Sequence, residues 1–164
     1  MRAFLLTMLV LAGTAGILRA DLWSEDYPAG LARAKQEGKY ILLDFTGSDW
    51  CGWCKRLKAE VFSKPSFKEY ARENLVCLMI DFPRGKSQSK ELQAQNIELS
   101  NKFGVAGYPT IIVLDPDGAF AGQTGYLPGG PARYVDNLKS MIAKDRAKNR
   151  RNAQTKRNAQ EGAL

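Results

Sequence analysis

Few residues in this chain are able to do covalent chemistry. Histidine is absent, so a Ser-His-Asp triad, a Cys-His dyad, a histidine general base and every histidine-containing zinc set are excluded within the chain. Three cysteines remain, Cys51, Cys54 and Cys77, too few for a four-cysteine zinc site or a multi-bridge scaffold. Two of them stand at Cys-x-x-Cys spacing in Trp50-Cys51-Gly52-Trp53-Cys54-Lys55. A pair so spaced can cycle between dithiol and disulfide, stay closed as a structural bridge, or grip a soft ion such as copper(I). The last option is poorly supplied, because two of the four methionines, Met1 and Met8, fall in an apolar leader. No metal site and no cofactor are therefore expected.

The pair must be positioned by the elements around it. Tyr40 to Phe45 is a nearly continuous apolar run, the pattern of a strand buried on both faces, and Thr46 to Trp50 is the loop leaving it. A helix from Cys51 to about Phe62 follows, broken at Ser63-Lys64-Pro65, then a second helical stretch from Ser66 to Asn74. Asp26 to Gly38 predicts an earlier amphipathic helix. Leu75 to Phe82, containing Cys77, predicts a buried strand, and Leu92 to Phe103 a helix stopped by Gly104. Thr110 to Leu114 and Ala119 to Gly125 read as a hairpin around the turn Asp115-Pro116-Asp117-Gly118. Gly129-Gly130-Pro131 opens a last helix with Tyr134, Leu138, Met141 and Ile142 on its apolar side. Strands and helices in this order, joined by short connections, predict an α/β fold with a mixed sheet flanked by helices.

The chain has 164 residues, 45% hydrophobic and 25% charged, the profile of one soluble globular domain. Its net charge of +7 is unevenly placed. Met1-Arg2, the uncharged run from Ala3 to Leu18 and Leu18-Arg19-Ala20 predict an export signal over residues 1–20, cut near Ala20, that delivers the protein to the periplasm or outside the cell. Residues 21–143 carry fifteen charges of each sign and form the expected domain. Residues 144–164 carry seven basic and two acidic side chains, with Arg-Asn-Ala-Gln twice and no aromatic residue, and predict a frayed or disordered helical extension. Basicity confined to such an appendage gives no reason to expect nucleic acid as a partner.

The segment Asp44-Phe45-Thr46-Gly47-Ser48-Asp49-Trp50-Cys51-Gly52-Trp53-Cys54-Lys55 resembles the active-site segment of the thioredoxin superfamily, particularly its exported thioredoxin-like members. The likeness extends over roughly residues 22–143, through Gly107-Tyr108-Pro109-Thr110 before the third strand and the hairpin and helix behind it. It implies a thioredoxin-like fold with a central mixed four- to five-stranded sheet. A helix opening at Cys51 leaves backbone N–H groups free to stabilise a thiolate there, which makes Cys51 the nucleophile. Cys54, on the same face of the first turn, is placed to resolve the mixed disulfide.

The resemblance also implies that Asp44 lies buried beneath the pair as a proton carrier for Cys54, and that Tyr108-Pro109 is a cis bond beside it. One more residue separates Asp44 from Cys51 than in the commonest thioredoxin spacing, so the loop must bulge or Asp44 must shift. Cys77 stands near where thioredoxins often carry a lysine that faces this aspartate; alone in a strand, it reads as a small buried hydrophobe. Trp50, Gly52, Trp53, Tyr108 and Pro109 form the expected substrate surface, while Phe45, Phe103 and Tyr126 are assigned to the core.

Together these readings predict an exported thiol:disulfide oxidoreductase acting on protein thiols and disulfides. Gly52-Trp53 lacks the histidine that stabilises a thiolate in strongly oxidising relatives, which tilts the expectation to a reductase. A membrane electron-transfer protein is implied as donor, and a monomer is expected. The competing reading is a polypeptide-binding or assembly module with a structural cysteine bridge.

Overall fold

The computed structural model describes residues 21–161. The expected leader over residues 1–20 lies outside them. Five strands form one sheet, β1 (Trp23–Ser24), β2 (Tyr40–Thr46), β3 (Leu75–Asp81), β4 (Thr110–Leu114) and β5 (Phe120–Thr124), in the order β1-β3-β2-β4-β5. β1 and β2 run parallel to β3, whereas β4 is antiparallel to both β2 and β5. The helices are α1 (Tyr27–Glu37), α2 (Gly52–Leu57), α3 (Pro65–Asn74), α4 (Lys90–Lys102) and α5 (Gly130–Glu161).

Strand alternation sorts the apolar residues into two cores, one on each side of the sheet. Leu42, Leu75, Ile111 and Val113 face Leu57, Phe62, Phe67, Tyr134 and Leu138 on one side. Ile41, Leu43, Phe45, Leu78 and Ile112 face Ala34 and Leu99 on the other. This two-sided burial is why β2, β3 and β4 read as continuous apolar runs.

α1 begins where the Asp26 side chain accepts the Ala29 N–H at 2.9 Å and ends at Gly38, whose φ of 64° is the left-handed conformation that favours glycine. β1 carries no sequence pattern at two residues, yet Trp23 pairs with Cys77 and stacks its ring 5.1 Å from Phe62. α2 widens at its end into a π-helical segment, Lys58–Phe62, closed by the Ser63 N–H donating to the Lys58 carbonyl at 2.9 Å.

The helical extension after Ala143 is continuous with the last helix, α5, which runs for 32 residues to Glu161. Its continuation has a physical anchor, because Asp145 is buried and its carboxylate accepts the Tyr40 hydroxyl at 2.9 Å and the Asn149 amide at 3.1 Å. From Lys148 onward the helix is exposed.

Candidate active site

The dithiol segment is set by the junction of β2 and α2. Cys51 has an extended backbone, φ −78° and ψ 108°, and occupies the capping position of α2. Its Sγ accepts the backbone N–H of Cys54 at 3.2 Å, and the two sulfurs are joined in a disulfide. An N–H aimed at the first sulfur is what a thiolate at a helix start requires. Gly52 follows as the first helical residue, with open space where a side chain would stand.

The loop after β2 is tied by hydrogen bonds to the end of β3 and the residues that follow it. Ser48 donates its N–H and its hydroxyl to the Asp81 carboxylate, at 2.8 and 2.5 Å. The Asp49 carboxylate accepts the N–H groups of Arg84 and Gly85, which hold its pKa below the ordinary value. Trp50 donates its indole N–H to the Phe82 carbonyl at 2.7 Å and lies across Gly47, where a methyl group would come within 2.6 Å of that nitrogen. Three consecutive side chains thus sew the loop to residues 81–85.

Asp44 lines one cavity with Cys54. Its Oδ1 is buried with no hydrogen-bond partner, and burial together with the Asp81 carboxylate pushes its pKa up to about 7. Lys58, on the same cavity, acts in the opposite direction. Lys58 was invisible in the sequence, where it reads as one more solvated helix lysine; the cation facing Asp44 comes from the π-helical segment rather than from β3. The position in question on β3 is Cys77, which pairs with Leu42 in register, is fully buried, and has its thiol pushed up to about 12 by desolvation.

The Tyr108–Pro109 bond is cis. The Tyr108 ring stands edge-on to Trp50 at 5.8 Å and close to Phe82 at 5.4 Å, which brings this bond to the loop before Cys51. The two tryptophans differ. Trp50 is half-buried and fixed, with the Arg84 guanidinium 4.0 Å above its ring, whereas Trp53 is 55% exposed.

Trp53 adjoins Tyr126 at 5.1 Å, with Arg56 beside both rings. The Glu60 carboxylate accepts Arg56 at 2.7 Å and the Tyr126 hydroxyl at 2.6 Å. Phe45 is buried in the core and Phe103 packs against it, as expected. Tyr126 only borders the core and gives its hydroxyl to this surface cluster, which the sequence reading missed because the partners come from separate elements.

A family model described as a thioredoxin-like domain matches residues 27–140. The chain belongs to the thioredoxin-like family. Within it, the chain is 36% identical over 129 residues to disulfide bond reductase DsbH of Chlamydia pneumoniae, covering 79% of this chain and 78% of that protein. A solved structure titled DsbH oxidoreductase superposes with a TM-score of 0.72 at 35% identity, over 84% of this chain and 95% of that one. Thiol:disulfide interchange protein DsbD 2 of Pseudomonas aeruginosa is 33% identical over 88 residues, which is 54% of this chain but 14% of that protein. The fold is therefore the thioredoxin-like fold, and its named relatives are thiol:disulfide oxidoreductases. Among the described residues no helix is long and apolar enough to cross a membrane.

Proposed function

We propose that this protein reduces protein disulfides outside the cytoplasm through the Cys51–Cys54 pair. The observation that carries the reading is the Cys54 N–H aimed at Cys51 Sγ at the start of α2. That contact supports reading Cys51 as the sulfur whose thiolate is stabilised. In the forward step the Cys51 thiolate attacks one sulfur of a substrate disulfide, forming a mixed disulfide and expelling the other substrate sulfur as thiolate. Cys54 then gives its proton to the ionised Asp44 and attacks Cys51 Sγ. The 51–54 bond closes, the second substrate sulfur leaves, and two electrons have passed to the substrate. Asp44, lining the same cavity as Cys54 with a pKa of about 7, suits that exchange at neutral pH.

In this proposal the substrate chain lies across Trp50, Gly52, Trp53 and the Tyr108-Pro109 backbone, and a membrane electron-transfer protein returns the electrons. Export rests on the leader pattern of residues 1–20. The test is the equilibrium potential of residues 21–164 with Cys77→Ala in glutathione buffers. A value near or below about −230 mV supports a reductase, one near about −120 mV reverses the direction, and a pair that never exchanges returns the chain to the binding-module reading.

A further inference from the structure

The last helix carries charge away from the cysteine pair. β2 runs from Tyr40 to Thr46 and delivers the chain to Cys51, so its far end marks the site. α5 starts at that end of the sheet. Its Tyr134 hydroxyl donates at 3.1 Å to the carbonyl of Gly125, which follows Thr124, the partner of Ile111 near the start of β4. Thr110, which opens β4, pairs in turn with Phe45. At Asp145 the helix has reached the opposite end, where the carboxylate takes the hydroxyl of Tyr40, the first residue of β2. The two ends are about 20 Å apart at the rise of a strand. From Lys148 to Glu161 the helix continues for about another 20 Å with every residue exposed.

The composition of this arm narrows what it can meet. Lys148, Arg150, Arg151, Lys156 and Arg157 stand against one acid, Glu161. None of the five makes an ion pair among the described residues, and Arg157 donates instead to the Gln154 side-chain oxygen at 3.2 Å. The helix dipole accounts for cations in the final turn alone, and the last four described residues, Asn158 to Glu161, hold none. Ala153 and Ala159 are the apolar residues of the arm, too small for the seam of a second helix or the core of a protein interface. At 100° per residue, Lys148 and Arg151 fall on one side, Arg150 and Arg157 on another, and Lys156 between them. A compact ligand would need these charges on one face. A charged plane does not, because a helix about 10 Å across keeps all of them within about one screening length of it.

We propose that the exposed end of α5 seats the protein on an anionic phospholipid surface, with the cysteine pair at the opposite end of the domain and turned to the aqueous side. The inference rests on the exported reading of the chain, which puts it beside such a surface. The seat is electrostatic: without an apolar face the helix stays among the headgroups and is released by salt. Held this way, Cys51 meets substrates from solution while the chain stays close to a membrane electron donor.

The test is cosedimentation of the chain from Asp21 to Leu164 with phosphatidylcholine vesicles, alone or with about 30% phosphatidylglycerol, at about 50 and about 500 mM salt. The bound fraction at low salt is expected to rise at least about tenfold with the anionic lipid and to vanish at high salt. Lys148→Gln, Arg150→Gln, Arg151→Gln and Arg157→Gln together are expected to abolish binding. An equal charge change on the body, Lys35→Gln, Lys64→Gln, Lys90→Gln and Lys102→Gln, is expected to leave it within about twofold. Orientation is read on the chemically reduced Cys77→Ala chain, where a maleimide carrying polyethylene glycol is expected to label vesicle-bound and free protein at the same rate. No binding, equal binding to neutral lipid, or equal loss in both variants would overturn the seat, and labelling that slows on vesicles would overturn the outward-facing pair. Neither readout needs turnover, so the inference can fail while the redox reading stands, and a pair that exchanges with no disulfide leaves it intact. The lipid and salt comparison uses no variant and decides the matter even if one misfolds.

Discussion

Asp44 and Cys54 line one cavity, the first from β2 and the second from the first turn of α2. The fold accommodates Asp44 in its neutral form, with a pKa of about 7 against an ordinary 3.8. Below pH ~4 the folded and unfolded chains both hold this proton. Between pH ~4 and ~7 only the folded chain does, so stability falls as pH rises through that window and levels off above it. Asp44→Asn is expected to remove the slope and to raise stability at pH 8 by ~2–4 kcal/mol, read from urea unfolding at several pH values. The same variant is expected to slow mixed-disulfide resolution at pH 8 by at least about tenfold. A variant with the wild-type slope would show that folding does not raise the Asp44 pKa.

Gly47 has no room for a side chain, because Trp50 crosses it. Gly47→Ala is expected to lower stability by about 1–3 kcal/mol, the range for overpacking, and to loosen the bond from Trp50 to the Phe82 carbonyl. Denaturant midpoints and indole N–H exchange measure the two effects. An unchanged midpoint with a protected indole would mean that the loop yields freely.

Much of this arrangement was legible because it is written in local pattern. The runs at Tyr40, Leu75 and Thr110 are buried on both faces, and each became a central strand. The Cys-x-x-Cys marks the pair, whereas the cis Tyr108–Pro109 bond beside the Trp50 loop followed from the family resemblance and not from local pattern. What escaped depends on tertiary neighbours. β1 is two residues long, too short for any periodicity. Lys58, Ser48 and Asp49 look like ordinary polar residues until β3 and the π-helical segment are placed beside them. Asp145 looked like one charge in a solvated tail because its partner lies 105 positions earlier.

Cys77 is sealed between β1 and β2 in register with Trp23 and Leu42, and its thiol is pushed up to about 12. The expected outcome is no modification by iodoacetamide at pH 8 while the chain is folded, and complete modification in denaturant. Cys77→Ala should cost about 1 kcal/mol of stability and leave the potential of the 51–54 pair unchanged. Rapid labelling of the folded chain would show that this part of the sheet opens, and a shifted potential would connect Cys77 to the site.

The Tyr40–Asp145 bond predicts where the domain ends. Tyr40 is 3% and Asp145 7% exposed, and the Arg146 guanidinium stands 5.3 Å from the Tyr40 ring. A chain stopped at Ala143 leaves the Tyr40 hydroxyl without its carboxylate partner, a loss of about 1–3 kcal/mol. One stopped at Asn149 keeps Asp145 and its bond from Asn149, and removes only exposed turns. Its stability is expected to lie within about 0.5 kcal/mol of the full chain. Tyr40→Phe in the full chain should reproduce part of the first loss, because it removes the hydroxyl while leaving every turn of α5 in place. Urea unfolding of the three variants separates these cases. If the chain ending at Ala143 unfolds at the same midpoint as the full chain, the buried carboxylate contributes nothing and the boundary returns to the last apolar residues of α5.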